Sequence, residues 1–196
     1  ARYITVIEGT WWVAGGPDAA IYDVDAMRPI TAGSFLGDMQ HLLARDLQLD
    51  VLMGPDLLRQ VAELAHRLPD LRIVINHCGS VEIGDGELDP VWLAAIAKMA
   101  QHAQVYMKVS AVMEKSASYP GPEDLDFYRP MLDAMWQAFG EDRLIYGSNW
   151  PVSDCAGGFK VATDIVKEFF AEKGEEATEK YFWKNAKAAY KWIDRS

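Results

Sequence analysis

The chain has 196 residues, of which 50% are hydrophobic and 24% charged, and that length supports one domain with a full core. The net charge of -10 argues against nucleic acid and anionic membranes as partners, because both bind basic surfaces. The sequence has no apolar run near the roughly 20 residues of a membrane span, and its first residues do not resemble a signal peptide. Two cysteines are too few for a disulfide framework. We therefore expect a cytoplasmic protein.

The first 32 residues predict one strand followed by a long loop. Residues 3–8 are β-branched and aromatic, which is typical of a strand. Residues 10–32 contain several glycines and prolines, and we predict a long loop there. Loops of this length in compact domains tend to be functional or mobile.

From residue 33 onwards, helical and strand patterns alternate. Ser34 is a suitable cap for a helix that runs to about Arg45. The patterns then predict, in chain order, strand 50–53, helix 55–68, strand 71–76, helix 90–101, strand 105–109, helix 122–139, strand 144–147 and two closing helices within 159–193. Such alternation with short connections favours a parallel sheet with right-handed crossovers. Two architectures fit this alternation: an open doubly wound sheet and part of a (β/α)8 barrel. A complete barrel is excluded, because it needs eight strands and typically about 250 residues.

Three strand-end motifs, in this order, resemble the amidohydrolase-related family, in the branch of the 2-pyrone-4,6-dicarboxylate lactonases and sugar-lactone hydrolases. The run 76–79 (Asn-His-Cys-Gly) is similar to the family's Asp-His-x-Gly, and 108–110 (Lys-Val-Ser) to its Lys-x-Ser. The run 147–151 (Gly-Ser-Asn-Trp-Pro) is similar to its Gly-Ser-Asp-Trp-Pro. The segment that contains Asn185 and Tyr190 is similar to the family's C-terminal helix. The likeness extends over roughly residues 33–193.

The resemblance implies that the five predicted strands are the last five of eight. The fold class is then α/β, the C-terminal five βα units of a TIM-type (β/α)8 barrel, in a single partial barrel domain over residues 1–196. The family's His-x-His pair has no counterpart in this sequence. We therefore expect a fragment, or a barrel completed by another chain, because an isolated five-stranded sheet would expose two edges.

The candidate catalytic residues follow from position and from the resemblance together. His77 ends a predicted strand and is an acid–base or metal-binding imidazole if it faces the pocket, or a strand-end histidine bonded to backbone if it does not. The resemblance implies an acid at 149, yet Asn149 stands there, and an amide cannot take a proton near neutral pH. Asp154 is a candidate substitute, or a loop residue that caps the next helix. The resemblance implies a hydrolase that is either metal-independent or metal-dependent, and in the second case a divalent metal such as zinc would bind at His77.

The candidate substrate-binding residues are Lys108, Ser110, Glu8 and Trp150. Lys108 and Ser110 alternate on one strand and therefore point to the same side. There the lysine would bind a substrate carboxylate, or pair with a nearby acid such as Glu82 or Glu114. Glu8 ends the first strand with the polarity of a pocket residue. Trp150 either stacks on a planar substrate or fills the core. Cys78 is a bystander, because neighbouring residues on a strand face opposite ways.

The resemblance implies a hydrolase that acts on a small lactone or another cyclic ester or carboxylate. The alternatives are a metal-dependent decarboxylase of the same family, or a non-catalytic truncated homologue that binds a ligand or serves as a scaffold. The expected partners are a small-molecule substrate and further copies of the chain in a homo-oligomer, without nucleic acid or membrane.

Overall fold

The computed structural model describes residues 3–7, 10–14, 21–23, 32–84 and 86–191 of the chain. The described strands form a three-stranded antiparallel sheet and a four-stranded parallel sheet. In chain order the elements are β1 (Tyr3–Ile7), β2 (Thr10–Ala14), β3 (Ile21–Asp23), α1 (Ala32–Leu43), β4 (Leu49–Val51), α2 (Pro55–Arg67), β5 (Ile73–Ile75), α3 (Pro90–Met99), β6 (Val105–Val109), α4 (Leu125–Phe139), β7 (Leu144–Tyr146), α5 (Ser153–Ala156), α6 (Phe159–Glu172), α7 (Glu175–Glu179) and α8 (Asn185–Tyr190).

The antiparallel sheet corrects the prediction of a long loop over residues 10–32. β1 pairs with β2, from Tyr3 opposite Ala14 to Ile7 opposite Thr10, and β2 pairs with β3. The loop prediction gave weight to glycine and proline and overlooked the aromatic and β-branched residues of 10–14, which favour strands. The first predicted strand therefore has an antiparallel partner, and four strands, not five, form the parallel sheet.

The parallel sheet has the order β4-β5-β6-β7, so that each strand lies beside its neighbour in the sequence. Helices α2, α3 and α4 connect the successive strands, which confirms the predicted α/β class. Strand β6 has the predicted bounds, and the other three are one to three residues shorter than predicted.

One face of this sheet packs against the helices and forms the main core. Its side chains are fully buried at alternate positions, for example Leu49, Ile73, Met107 and Leu144. Trp92 of α3 is also fully buried there. Alternation places the other residues of each strand on the opposite face.

That opposite face carries the polar side chains Asp50 and Lys108 and is partly covered by α8. A small buried cluster joins Val74, Ile145 and Ala189. In a barrel this face would line the interior, and the packing of α8 on it closes the end where the strands begin.

The closing helices are more divided than predicted. A π-helical turn over Lys180–Lys184 joins α7 to α8. Within it Tyr181 is fully buried, stacks on Phe170 with ring centroids 3.7 Å apart, and donates to the carbonyl of Val109 at 3.0 Å. Residues 192 and 193 of the predicted helix lie outside the described residues. None of the described helices is long and apolar enough to cross a membrane.

Candidate active site

The candidate site lies where the parallel strands end. The strand register brings the residues that follow β5, β6 and β7 to the same edge of the sheet. These residues are His77, Ser110 and the segment 147–149. The carboxyl ends of parallel strands are the usual place for ligands in α/β folds.

His77 begins a turn with an unusual backbone. The four residues of the turn 77–80 all have positive φ, from 52° at His77 to 64° at Gly79. Non-glycine residues in this region are strained and occur often at functional sites. The turn is supported from below by Trp92, whose indole nitrogen donates to the carbonyl of Cys78 at 2.8 Å. At Gly79 a Cβ atom would lie 3.2 Å from that indole nitrogen, so glycine fits both the φ angle and the space.

The structure brings His77 and Ser110 together. The Nδ1 atom of His77 lies 2.8 Å from the Oγ atom of Ser110, and Ser110 is almost completely buried. Burial, followed by the charges of Lys115 and Lys108, lowers the pKa of His77 to about 4. The imidazole is therefore neutral at pH 7, and its Nε2 atom is the ring nitrogen that Ser110 does not contact.

Lys108 and Ser110 converge over Gly147. A Cβ atom at Gly147 would lie 2.9 Å from Cβ of Ser110 and 3.1 Å from Cδ of Lys108. A Cβ atom does not fit at these distances. Because glycine has none, the backbone at the end of β7 can lie close to Lys108 and Ser110. Lys108 and Ser110 thus share one side of the sheet.

Lys108 has a partner that the sequence did not suggest. Its Nζ atom lies 3.2 Å from Oδ2 of Asp50, and the same oxygen accepts a hydrogen bond from the hydroxyl of Tyr190 at 2.9 Å. Burial, and then the charge of Asp50, raise the pKa of Tyr190, which keeps its hydroxyl protonated. The partner expected for Lys108 was an acid such as Glu82 or Glu114. The signal for Asp50 was that it is the charged residue in the otherwise apolar run 49–53.

Asn149 contacts Glu114, which the sequence indicated only as a possible partner of Lys108. Its Nδ2 atom donates to Oε1 of Glu114 at 2.8 Å. Asn149 has a φ of 53°, a conformation that asparagine tolerates better than most residues. Glu114 lies in the short turn Met113–Lys115 after β6, which has no pattern that marks it as a site.

Trp150 and Asp154 form a pair at the rim of the site. The indole nitrogen of Trp150 donates to Oδ2 of Asp154 at 3.0 Å, and the backbone nitrogen of Phe159 donates to Oδ1 at 3.2 Å. Trp150 is 64% exposed, so the alternative in which it fills the core is wrong. Both oxygens of Asp154 have partners, and neither of these is Asn149.

The last two residues named in the sequence analysis are Cys78 and Glu8. Cys78 is fully buried, and burial raises the pKa of its thiol to about 12. Its sulfur lies 3.4 Å from the carbonyl of Ser110, so it is an inert neighbour of the site, as predicted. Glu8 lies outside the described residues.

The described residues do not fit a metal ion by themselves. Across residues 32–84 and 86–191, and the described strands before them, no group of three or more His, Cys, Asp or Glu side chains could hold one. His77 offers one imidazole, and the two charges that lower its pKa are lysines. Because protein metal sites gather several such ligands, the described residues do not form a metal site on their own.

Comparison with known proteins supports the resemblance seen in the sequence. The amidohydrolase family model matches residues 40–192. The L-fucono-1,5-lactonase of Burkholderia ambifaria is 38% identical over 118 residues, which cover 60% of this chain and 39% of that protein.

Two solved structures share the fold. An amidohydrolase from Burkholderia multivorans with bound zinc superposes with a TM-score of 0.77 at 24% identity, covering 87% of this chain and 61% of that chain. A probable 2-pyrone-4,6-dicarboxylic acid hydrolase from Acinetobacter baumannii with bound citric acid gives 0.68 at 17% identity, covering 83% and 59%. The likeness confirms an incomplete TIM-type barrel, and the chain spans less than two thirds of each of these three proteins. Since the family model covers most of the sequence, the chain belongs to the amidohydrolase family.

Proposed function

We propose that this protein hydrolyses a small lactone or another cyclic ester at the strand ends that carry His77 and Ser110. The observation that carries the proposal is the 2.8 Å contact between these side chains, around an imidazole that is neutral at pH 7. A neutral imidazole can both donate and accept a proton, which ester hydrolysis requires. The lactonase activity in the name of the Burkholderia ambifaria relative supports a lactone as substrate.

In this reaction His77 polarises the carbonyl of the ring ester. When the Ser110 hydroxyl donates to Nδ1, the imidazole carries its proton on Nε2 and can donate it as a hydrogen bond to the carbonyl oxygen. That bond stabilises the negative charge that develops on the oxygen as water attacks. The contact with Ser110 holds the ring in place before the substrate arrives.

Lys108 and Trp150 bind the rest of the substrate. An ammonium group has three donors, and the contact with Asp50 occupies one of them. The others suit a carboxylate or the hydroxyl groups of a sugar acid. Trp150, held by Asp154, offers an exposed ring face to a planar or cyclic ligand. Asp154 then positions the indole rather than the water.

Zinc is a candidate cofactor because a relative in fold contains it. In this chain the nitrogen for it would be Nε2 of His77, in place of the hydrogen bond from that nitrogen to the carbonyl, and its other ligands would not come from a preformed cluster among the described residues. Elemental analysis of the purified full-length protein tests this point. Zinc that is bound by the wild type and lost in His77→Gln would support its inclusion.

Activity assays with variants test the proposed function. The full-length protein is assayed with a panel of sugar-acid lactones, including L-fucono-1,5-lactone, by the acid that hydrolysis releases. We expect His77→Gln to lower kcat at least 100-fold, since general acid–base groups contribute about 100-fold or more.

The control is His66→Gln, which removes an exposed histidine of α2 and should leave kcat within about twofold, as surface changes do. Activity of His77→Gln within a few-fold of the wild type would contradict the role of His77. A wild-type protein that binds lactones without hydrolysing any of them would favour the alternative of a non-catalytic binding protein, which Asn149 supports.

A further inference from the structure

Hydrolysis needs a group that takes a proton from the attacking water. His77 is not that group in the proposed reaction, because its Nδ1 atom accepts from Ser110 and its Nε2 proton is donated to the carbonyl oxygen. The amide of Asn149 cannot accept a proton near neutral pH. Both oxygens of Asp154 accept hydrogen bonds from the rim. Asp50, on β4, is paired with the ammonium of Lys108 and accepts a hydrogen bond from Tyr190.

Glu114 differs from these acids in its surroundings. Its Oε1 atom accepts a hydrogen bond from the neutral amide of Asn149 at 2.8 Å. Its Oε2 atom is shielded from solvent and has no hydrogen-bond partner among the described residues. A buried carboxylate oxygen without a partner is costly to keep, and such atoms call for a functional explanation.

The position of Glu114 relates it to the strand ends. It follows Ser110 by four residues, in the turn directly after β6, and its partner Asn149 follows β7. The bond between them therefore joins the ends of two adjacent strands at the edge that also carries His77. An aspartate in place of Asn149 would set two carboxylates against each other, whereas the amide donates to Glu114 and orients it.

We infer that Glu114 is the general base of the site and that Asn149 is the residue that positions it. This inference rests on the proposed lactone hydrolysis and names the proton acceptor for it. The hydrogen bond to Oε1 leaves Oε2 as the oxygen that takes the proton.

The proton and bond changes balance without a further reactant. Glu114 takes one proton from water while the water oxygen forms a bond to the carbonyl carbon. When the tetrahedral intermediate collapses, the bond between that carbon and the ring oxygen breaks and its electron pair stays on the ring oxygen. The ring oxygen then takes the proton back from Glu114. The product is the open hydroxy acid, which releases its carboxyl proton to solvent.

The first test replaces the carboxylate and keeps its shape. Glu114→Gln retains an oxygen that can accept the bond from Asn149, so we expect the melting temperature to change little. We expect kcat to fall at least 100-fold with KM within about threefold, because the general base acts in the transition state. The matched control is Glu123→Gln, an exposed acid of the loop before α4, which should retain wild-type kinetics.

The second test moves the carboxylate across the same hydrogen bond. The double variant Glu114→Gln with Asn149→Asp again has one carboxylate and one amide. We expect its kcat to be at least tenfold higher than that of Glu114→Gln. Asn149→Asp alone places two carboxylates together, so that one of them holds its proton to higher pH. We expect the acidic limb of its kcat profile to move to higher pH, a change that a purely structural role would not produce.

The outcomes separate this inference from the proposed function. An active wild type with Glu114→Gln within threefold of it would overturn the role of Glu114 and leave lactone hydrolysis in place. A wild type that hydrolyses no lactone of the panel would overturn both. If Glu114→Gln does not fold, the double variant decides: a folded but inactive double variant overturns the inference.

Discussion

At the scale of single residues, the imidazole of His77 contacts a serine hydroxyl, and the charges of two lysines act on its pKa. Burial is the largest cause of the low pKa of about 4, and Lys115 and Lys108 add to it. An unperturbed histidine has a pKa of about 6.5. His77 is thus held in the neutral form that hydrogen bonding to a carbonyl requires, throughout the neutral pH range.

This shift predicts how stability depends on pH. Between pH 6.5 and pH 4 the unfolded chain takes up a proton at His77 that the folded chain does not. The free energy of unfolding should therefore decrease as pH falls through this window, by at most about 3 kcal/mol. Denaturant unfolding measured at pH 7, 5.5 and 4 tests this.

The comparison variant is His77→Gln, which has no ionisable group at this position. Its free energy of unfolding should decline less between pH 6.5 and 4 than that of the wild type. His66→Gln serves as the control and should follow the wild-type curve. If the free energy of unfolding fell equally with pH in the wild type and in His77→Gln, the pKa of His77 would not be lowered in the folded protein.

The sequence predicted some of these residues and missed others for a physical reason. His77, Lys108 and Ser110 stand at strand ends, where a pocket is expected, and they do meet there. Glu114 and Asp50 were not proposed as site residues. Their partners are 35 and 140 positions away in the chain, and no local pattern records a contact at that separation.

At the scale of secondary structure elements, the contacts of Asp50 join β4 to β6 and to α8. Its Oδ2 atom receives both the ammonium of Lys108 and the hydroxyl of Tyr190. Its side chain is only 12% exposed, and its Oδ1 atom has no partner among the described residues. The cost of burying a charge is offset only by its ion-pair and hydrogen-bond partners, so that the loss of one partner is strongly destabilising.

Tyr190→Phe should therefore destabilise the protein more than the loss of an ordinary hydrogen bond. We expect the free energy of unfolding to fall by about 1.5–3 kcal/mol, the range for hydrogen bonds to charged groups. Tyr146→Phe is the matched control, because the Tyr146 hydroxyl contacts the neutral hydroxyl of Thr163 at 3.0 Å. Its cost should be about 1 kcal/mol. Equal costs in urea unfolding would argue against a charged partner for Tyr190.

The elements themselves could be predicted well where the pattern was regular. The helix and strand alternation after residue 33 is present, and β6 agrees residue for residue. The antiparallel strands within 10–32 escaped prediction because glycine and proline dominated the reading of that segment. The π-helical turn at Lys180–Lys184 follows from the packing of Tyr181 against Phe170 and Val109, which no helical pattern encodes.

At the scale of the whole molecule, the C-terminal helix returns to the beginning of the parallel sheet. Asn185, which is 4% exposed, donates to the carbonyls of Glu141 and Leu144 at 2.7 and 2.8 Å. The guanidinium of Arg72 donates to the carbonyl of Ala189 at 2.8 Å. These bonds fasten α8 to the ends of β5 and β7 at which the strands begin.

Asn185→Ala should loosen this closure. Two carbonyls at the start of β7 would lose their donor, and we expect the free energy of unfolding to fall by about 2–4 kcal/mol, since each buried group costs about 1–3 kcal/mol when it is left unpaired. Hydrogen exchange should increase in α8 and at the start of β7 together. Gln137→Ala, on the exposed side of α4, is the control and should leave both measurements near wild type. Faster exchange in α8 alone would show that the two elements are not coupled.

The architecture of the molecule required more than periodicity. Helix and strand patterns left an open doubly wound sheet and a partial barrel as equal alternatives. The strand-end motifs and their likeness to one family resolved the choice, and the solved structures agree. The number of parallel strands was still overestimated, because a strand pattern does not show which partner a strand will pair with.

The left-handed backbone at the strand ends has a consequence for protein engineering. Exchanging an L-residue that is held at positive φ for glycine relieves backbone strain there, and selection for heat tolerance can enrich such exchanges. At Ser80, with a φ of 55°, such an exchange touches none of the proposed catalytic groups. At His77 and Asn149 it would relieve the same kind of strain and delete a working side chain. Among these positions, a gain in thermal stability would therefore cost activity at His77 and Asn149. A mutant library that keeps these two residues unchanged can be screened for stabilising exchanges elsewhere in the chain.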